Sequence, residues 1–551
     1  MGFKSITVLA TTDVHSNIWG YDYENNEEMK GCGMANLYSY INSVRDENPN
    51  TILLDNGDMI QGSILTDDLY NRGWKGQHPI SKVMNYMGYE AMTLGNHEFN
   101  FGVGLLGNLK KEVNFPFLSA NVTYKLTGEY FGEPFTIIEK SGVKVGVIGL
   151  TTPNVPRWVG NKVEKLEFHS LGETAKREVD KLKSKVDIIV VLAHCSLEEE
   201  INYEEDAGRK IIELCPDIDI LMVGHFHITV NDRIGKTLIG GATDKGREIV
   251  RFDLALDENN KLISSEVEVV DMGRYSPSEE IRSIDLIKEA HEKTINLASG
   301  KILGRSVSDF QPEDEINWIP QGRLQETALI QLINKVQLIN SGADVSSTSL
   351  IREYSDIKKG NITYGTICGI YKFDTFLLVI EVTGKELKEY MEWTASAYNK
   401  WEKGDVSISF SMDIPGYQHD IFSGINYTID LSQEVGCRIG NLKIKGRDLK
   451  DKDIIKLAVS DYCYFTTLKG RNFTSNKPCW ESDILIKDML VEYVTNEKII
   501  KPELDSNWSI VGVDLSSPYR KIAIDSVNKG EFDIPYNKSL NIDELKRMGI
   551  I

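Results

Sequence analysis

The chain has 551 residues, too many for one ordinary core and enough for two domains or more. Its apolar share of 41% matches a folded globular protein and excludes a largely disordered one. The formal net charge of −20 repels phosphodiester backbones, so a long nucleic-acid partner is not expected, and a small anion would need a local cation to capture it.

At the N-terminus "ITVLA" is short and runs straight into "TTDVHSN", where a secretory signal would need ~7–15 apolar residues and a cleavage site. No run approaches the ~18 apolar residues of a membrane span. A cytoplasmic location is therefore expected, or an exported one if a signal has been removed. The seven cysteines are odd in number, scattered and without CxxC spacing, as for reduced thiols.

The first half alternates short apolar runs with helical patterns. The runs are "SITVLA", "TILL", "EAMTL", "KVGVIGL", "DIIVVLA" and "IDILMVG"; the helices include "GMANLYSYINSVRDE" and "LGETAKREVDKLKSK". Runs of this kind predict strands buried on both faces of an α/β layered fold. Residues 279–299 predict one amphipathic helix closed by Gly300, and the domain boundary is placed there. Beyond it, "GRLQETALIQLINKVQLI" predicts a helix and "FLLVIEV" a buried strand. "TGKELKEYMEWTASAY" opens with a capping box, Thr383 with Glu386. "INYTIDLS" and "IIKLAVSDY" predict further strands.

Each early run is followed by a polar cluster. "SITVLATT" leads to Asp13 and His15, and "TILLDN" to Gly57-Asp58. "AMTL" leads to Gly95-Asn96-His97-Glu98, "DIIVVLA" to His194, and "IDILMV" to Gly224-His225-Phe226-His227. Taken singly, each is an Asp in a turn or a His in a core. Together they sit at the carboxyl ends of strands, which share one edge in an open α/β sheet and form sites there. Five of the nine histidines fall in these positions. Asp, His and Asn donors without Cys suit Mn, Fe, Zn, Co or Ni, with no choice among them. The donors exceed one ion's needs, so two divalent ions ~3.5–4 Å apart are expected, with Asp58 as the bridge. The spacings Asp13-x-His15 and His225-x-His227 would put two side chains on one side of an extended segment. The glycines beside the donors would allow close backbone approach.

The set "DVH…GD…GNHE…H…GHFH" resembles the signature of the calcineurin-like metallophosphoesterases. "TTDVHSN", "LLDNGDMIQGS" and "TLGNHEFNFG" look like the 5′-nucleotidase superfamily within them. The resemblance implies a four-layer αββα catalytic domain (1–277), a joining helix (278–300) and a C-terminal α/β nucleotide-binding domain (301–551). It implies that Asp13, His15, Asp58 and His227 hold one metal. Asp58, Asn96, His194 and His225 would hold the second. His97 would act on the phosphoryl group or leaving oxygen, and Glu98 would support the ligands. Many 5′-nucleotidases carry Asp where this chain has Asn100, and Gln where it has His227. Both residues fit the branch described as 2′,3′-cyclic-nucleotide 2′-phosphodiesterase/3′-nucleotidase. Asn100 would orient the His97 ring by hydrogen bonding. Phe373 and Tyr462 would stack on the base, Asp461 would hold a ribose hydroxyl, and Arg352 would contact substrate, although the glycines that usually precede that Arg are missing in "SSTSLIR". The expected function is hydrolysis of 2′,3′-cyclic nucleotides and 3′-nucleotides. The rivals are a 5′-nucleotidase or UDP-sugar hydrolase, a non-catalytic nucleotide-binding protein, and a nuclease.

Overall fold

The computed structural model describes residues 3–73, 75–198 and 208–551. The chain divides into two units, Met1–Ala298 and Ser299–Ile551. The single helix expected over 279–299 comes as two pieces, Glu279–Arg282 and Asp285–Ser299. At the break the Ser283 hydroxyl donates to the Glu280 carbonyl, a back-bond that bends helices.

In the first unit the six apolar runs are all strands, but they build two six-stranded sheets rather than one open sheet. The first runs Leu262–Asp271, Glu248–Leu256, Lys4–Thr11, Thr51–Asp55, Ala91–Thr93, Phe117–Leu118. Its last four strands are parallel. The second runs Val230–Ile234, Thr237–Gly241, Ile220–Met222, Ile188–His194, Val143–Thr151, Phe135–Lys140, with the central four parallel. The two sheets pack face to face. Val190 and Leu192 share a core with Val8, Ile52 and Leu54 of the first sheet. Val191 and Ala193, on the opposite face, share another with Leu171, Ala175 and Val179 of the Leu171–Leu182 helix. Burial on both faces is why these strands appear as unbroken apolar runs.

The second unit centres on a five-stranded sheet, in the order Ile421–Ser423, Val345–Thr348, Ile454–Ser460, Phe376–Thr383, Trp480–Leu485. Thr383 and Glu386 form the capping box that opens the Gly384–Ala395 helix. The last segment contributes Ala523, Ile524, Val527, Leu540 and Leu545 to the core of this unit. Among the described residues no helix is long and apolar enough to cross a membrane.

Gly149 marks a close approach of the two sheets in the first unit. A Cβ there would lie 2.3 Å from Leu118 Cβ and 2.6 Å from Thr93 Oγ1, both on the opposite sheet. Gly149→Ala therefore has to push the sheets apart. It should destabilise the protein by about 1–3 kcal/mol, read as a lower denaturation midpoint.

Candidate active site

The loops after the Lys4–Thr11 and Thr51–Asp55 strands run side by side. The N–H groups of Asp13, His15 and Ser16 donate to the carbonyls of Gly57, Asp58 and Met59 at 2.9, 2.9 and 2.8 Å. This ladder continues where the strands stop, in a conformation that is not extended. Asp13, His15, Asp58, His225 and His227 have φ of 53°, 50°, 57°, 75° and 56°. The period-two expectation for Asp13-x-His15 and His225-x-His227 is thus corrected, because their side chains converge by left-handed turns. Such conformations cost non-glycine residues energy and cluster at functional sites.

Glu98 ties the next loop to this one. Its buried carboxylate accepts the N–H groups of Asp58, Met59 and Gly95 at 2.7 Å each, and of Ile60 at 3.2 Å. Burial and the neighbouring Asp58 push the Glu98 carboxyl up to about 7, against the backbone donors that hold it down. Gly95 is needed for the approach, since a Cβ there would fall 2.2 Å from Asp58 Oδ1.

Two groups of donors result. In the first, single donor atoms of Asp13, His15 and His227 lie within 4.8 Å of one another; in the second, those of Asp58, His194 and His225 do. Asn96 joins the second group, with its Oδ1 3.1 Å from His194 Nε2. All seven donors are therefore brought together, from the ends of both sheets.

The tautomers show what the groups are arranged to hold. His15 Nδ1 donates to the Gln61 carbonyl at 2.9 Å, and His194 Nδ1 to the Asn56 carbonyl at 2.7 Å. In the neutral rings this leaves each Nε2 a lone pair, as for imidazoles that bind metals. Those lone pairs face other acceptors. His15 Nε2 is 3.1 Å from His227 Nε2, and His194 Nε2 is 3.2 Å from Asp58 Oδ2. Asp13 Oδ1 is buried without a hydrogen-bond partner, 3.4 Å from His227 Nε2. With the rings neutral, these atoms turn lone pairs toward one another, an arrangement that fits a cation.

Without a cation, protons take its place. Burial opposes a charge on His194, but Asp58 and Asp13 outweigh it and lift the ring to about 10. Burial would raise Asp13; His194 and His227 hold it at about 2. Burial would raise Asp58 too, yet His194 and His97 keep it well below the usual carboxylate range. The carboxylates stay ionised and draw a positive charge.

His97 stands beside the second group. Its backbone N–H donates to Asp58 Oδ1 at 2.8 Å, and its Nε2 is 3.9 Å from Asp58 Oδ2. The Asn100 amide nitrogen lies 2.9 Å from His97 Nδ1. Two residues went unread in the sequence. Trp158 lies against His225, ring centroids 5.2 Å apart, and the Lys162 ammonium donates to the Asn100 carbonyl at 2.8 Å. "TTPNVPRWVG" follows the "KVGVIGL" strand, so the same end-of-strand rule would have found Trp158; Lys162 lies two residues beyond that stretch.

The four substrate candidates lie in the second unit. Leu377 pairs with Ser460 across antiparallel strands, so the loop holding Phe373 and the turn holding Asp461 and Tyr462 share one sheet end. The Val345–Thr348 strand runs parallel to Ile454–Ser460 and sends Arg352 to the same end. Phe373, Tyr462 and Arg352 are all half-buried.

Comparison with known proteins agrees with this architecture. The Calcineurin-like phosphoesterase profile matches residues 6–229, and the 5'-nucleotidase, C-terminal domain profile matches residues 313–474. The chain belongs to the calcineurin-like phosphoesterases that carry a 5′-nucleotidase C-terminal domain. Similar proteins include a 2′,3′-cyclic-nucleotide 2′-phosphodiesterase/3′-nucleotidase of Haemophilus influenzae, 27% identical over 92% of this chain and 88% of that one. A trifunctional nucleotide phosphoesterase of Bacillus subtilis is 26% identical over 92% of this chain, which spans only 39% of that protein's length. A Staphylococcus aureus structure described as a 5′-nucleotidase superposes with a TM-score of 0.80 at 23% identity, covering 92% of this chain and all of that one, which establishes the shared fold. The phosphoesterase is a hydrolytic enzyme of a metal-dependent family, and the two donor groups are its candidate metal sites.

Glu98→Gln would turn an NH2 toward backbone N–H groups that now meet a carboxylate oxygen. The loss should be on the order of 2–4 kcal/mol of stability, with metal affinity ~10–100-fold weaker. Thermal melts and elemental analysis read the two effects separately.

Proposed function

We propose that this phosphoesterase hydrolyses 2′,3′-cyclic nucleotides and 3′-nucleotides to nucleoside and phosphate. One water would open the cyclic diester at its 2′ oxygen and leave the 3′-monoester. A second water would release inorganic phosphate. The observation that carries the reading is His97 with Asn100 as its partner, set beside two converging donor groups. The curated relatives named for the same pair of activities support it.

In this reading Asp13, His15, Asp58 and His227 hold one divalent ion, and Asp58, Asn96, His194 and His225 hold the second. Such ions supply Lewis-acid polarisation of phosphoryl oxygens and acidification of water. The Gln61 and Asn56 carbonyls keep His15 and His194 in the tautomer that offers Nε2. Glu98 fixes the backbone on either side of Asp58. An amide N–H can only donate, so Asn100 makes Nδ1 of His97 an acceptor and leaves the ring proton on Nε2. From there His97 would donate a hydrogen bond to a phosphoryl or leaving oxygen. Phe373 and Tyr462 would receive the base, Asp461 a ribose hydroxyl, and Arg352 an anionic or polar edge of the substrate. Stacking tolerates every base, so broad nucleobase use is expected.

Rates on 2′,3′-cAMP, 3′-AMP and 5′-AMP with Mn²⁺, measured side by side, test the assignment. The first two should be hydrolysed at least tenfold faster; a preference for 5′-AMP overturns it in favour of a 5′-nucleotidase. Asp58→Asn should lower bound metal in elemental analysis and reduce turnover by a factor of about 10³ or more. Asn100→Asp places a carboxylate at Nδ1, which favours the imidazolium. The step in the pH–rate profile at which the ring loses its second proton should then move upward. Superimposable profiles would count against coupling between the two residues.

A further inference from the structure

Lys487 is a residue that the reading above leaves unused. It is the second residue of the Ile486–Glu497 helix, and its side chain is 1% exposed. A fully buried lysine is rare unless paired, and a helix N-terminus disfavours positive charge. Something specific has to hold it there. Its ammonium lies 3.2 Å from Asp374 Oδ1 and 5.8 Å from the centre of the Tyr364 ring.

Asp374 directly follows Phe373. The loop around them is short and pinned from several sides. The Ile486 N–H donates to the Thr375 carbonyl at 3.0 Å, and the Thr375 N–H to the Phe373 carbonyl at 3.2 Å. Tyr371, buried, shares a hydroxyl hydrogen bond of 2.9 Å with Thr375. Phe376 pairs with Leu485, so the loop and the start of the helix leave adjacent strands side by side. Between buried Tyr371 and the strand, Phe373 remains half-exposed at the sheet end it shares with Tyr462. The ion pair joins the helix to the loop residue that directly follows Phe373.

We propose that Lys487 is a positioning residue: through Asp374 it fixes the 371–375 loop so that Phe373 presents its face to the base of a nucleoside or nucleotide. The proposal rests on the placing of base recognition at Phe373 given above. It predicts that the pair governs binding of the base and leaves the chemistry at the phosphoryl group untouched. Asp374 contributes by orienting the loop, without touching substrate.

The test uses the full chain loaded with Mn²⁺. Adenosine, which has base and ribose but no phosphate, is titrated calorimetrically into the parent, Lys487→Met, Asp374→Asn and Lys487→Arg. Turnover of 3′-AMP and of glycerol 2-phosphate, which lacks a base, is measured alongside. Lys487→Met and Asp374→Asn should each weaken adenosine binding and raise KM for 3′-AMP about tenfold. The kcat for 3′-AMP and kcat/KM for glycerol 2-phosphate should stay within twofold. Lys487→Arg keeps the charge and should restore most of the affinity. Should Lys487→Met fail to fold, Asp374→Asn and the double variant carry the comparison, the latter without an unpaired buried charge. Unchanged adenosine affinity in a folded variant overturns the proposal, as does a parallel fall on glycerol 2-phosphate, or a parent that does not bind adenosine. A parent that binds adenosine but prefers 5′-AMP overturns the substrate assignment and leaves this inference standing.

Discussion

One carboxylate holds the catalytic unit in its working shape. Glu98 accepts four backbone N–H groups from the loops that follow two neighbouring strands. Both loops carry proposed metal donors, Asp58 on one and Asn96 on the other. Asp58 sits at a φ of 57° that costs a non-glycine residue energy. Four backbone hydrogen bonds onto one buried side chain in a dry interior offset that strain. The remaining donors lean on the same frame: the Asp13–Ser16 turn is laddered onto Gly57–Met59, and His194 is oriented by the Asn56 carbonyl.

Much of this was legible in the sequence, for a physical reason. A strand buried on both faces must be apolar along its length, so the switch to "TTDVH", "DNGD" or "GNHEF" marks its end unmistakably. The number of sheets was not legible from the runs themselves, since "TILL" and "DIIVV" are equally apolar whichever sheet they join. The αββα arrangement came from the family resemblance. The Glu248–Leu256 and Leu262–Asp271 hairpin went unread, although its burial alternates as in a strand with one wet face. Left-handed φ at Asp13, His15, His225 and His227 was hidden too, because side-chain spacing says nothing about which Ramachandran region closes a turn. Trp158 escaped attention because the clusters were sought by donor chemistry, and indole is no metal donor.

The two units manage buried charge differently. In the first, Asp13, Asp58 and His194 lie in the interior with their charges aimed at each other, in two donor groups that are candidate metal sites. In the second, Lys487 is matched by Asp374 within the protein, and Asp420 accepts hydrogen bonds from Tyr390, Ser347 and Cys463. A pair satisfied internally contributes less to net stability than apolar packing of the same volume, while removal of one partner is costly. Its use is to define geometry. Lys487 pairs with the residue after Phe373, and Cys463 directly follows Tyr462, so both buried polar groups are joined along the chain to half-exposed aromatic residues.

The net charge of −20 reports the long-range field, while the site sets the local one. At ~8 Å, the Debye length at physiological ionic strength, distant surface carboxylates are largely screened from an approaching nucleotide. Within that distance Asp13 and Asp58 bring two negative charges to the proposed centre, and the proposed pair of divalent ions would bring four positive ones. The centre thereby changes sign when loaded, and bound ions are often the dominant local charges in such sites. Lys162, whose ammonium donates to the Asn100 carbonyl, adds a positive charge beside the partner of His97. An acidic exterior around a cationic centre admits a small phosphate ester that reaches the donors and disfavours a polyanion that must also lie along the surface. The same composition that argues against a long nucleic acid is therefore consistent with a single nucleotide as substrate.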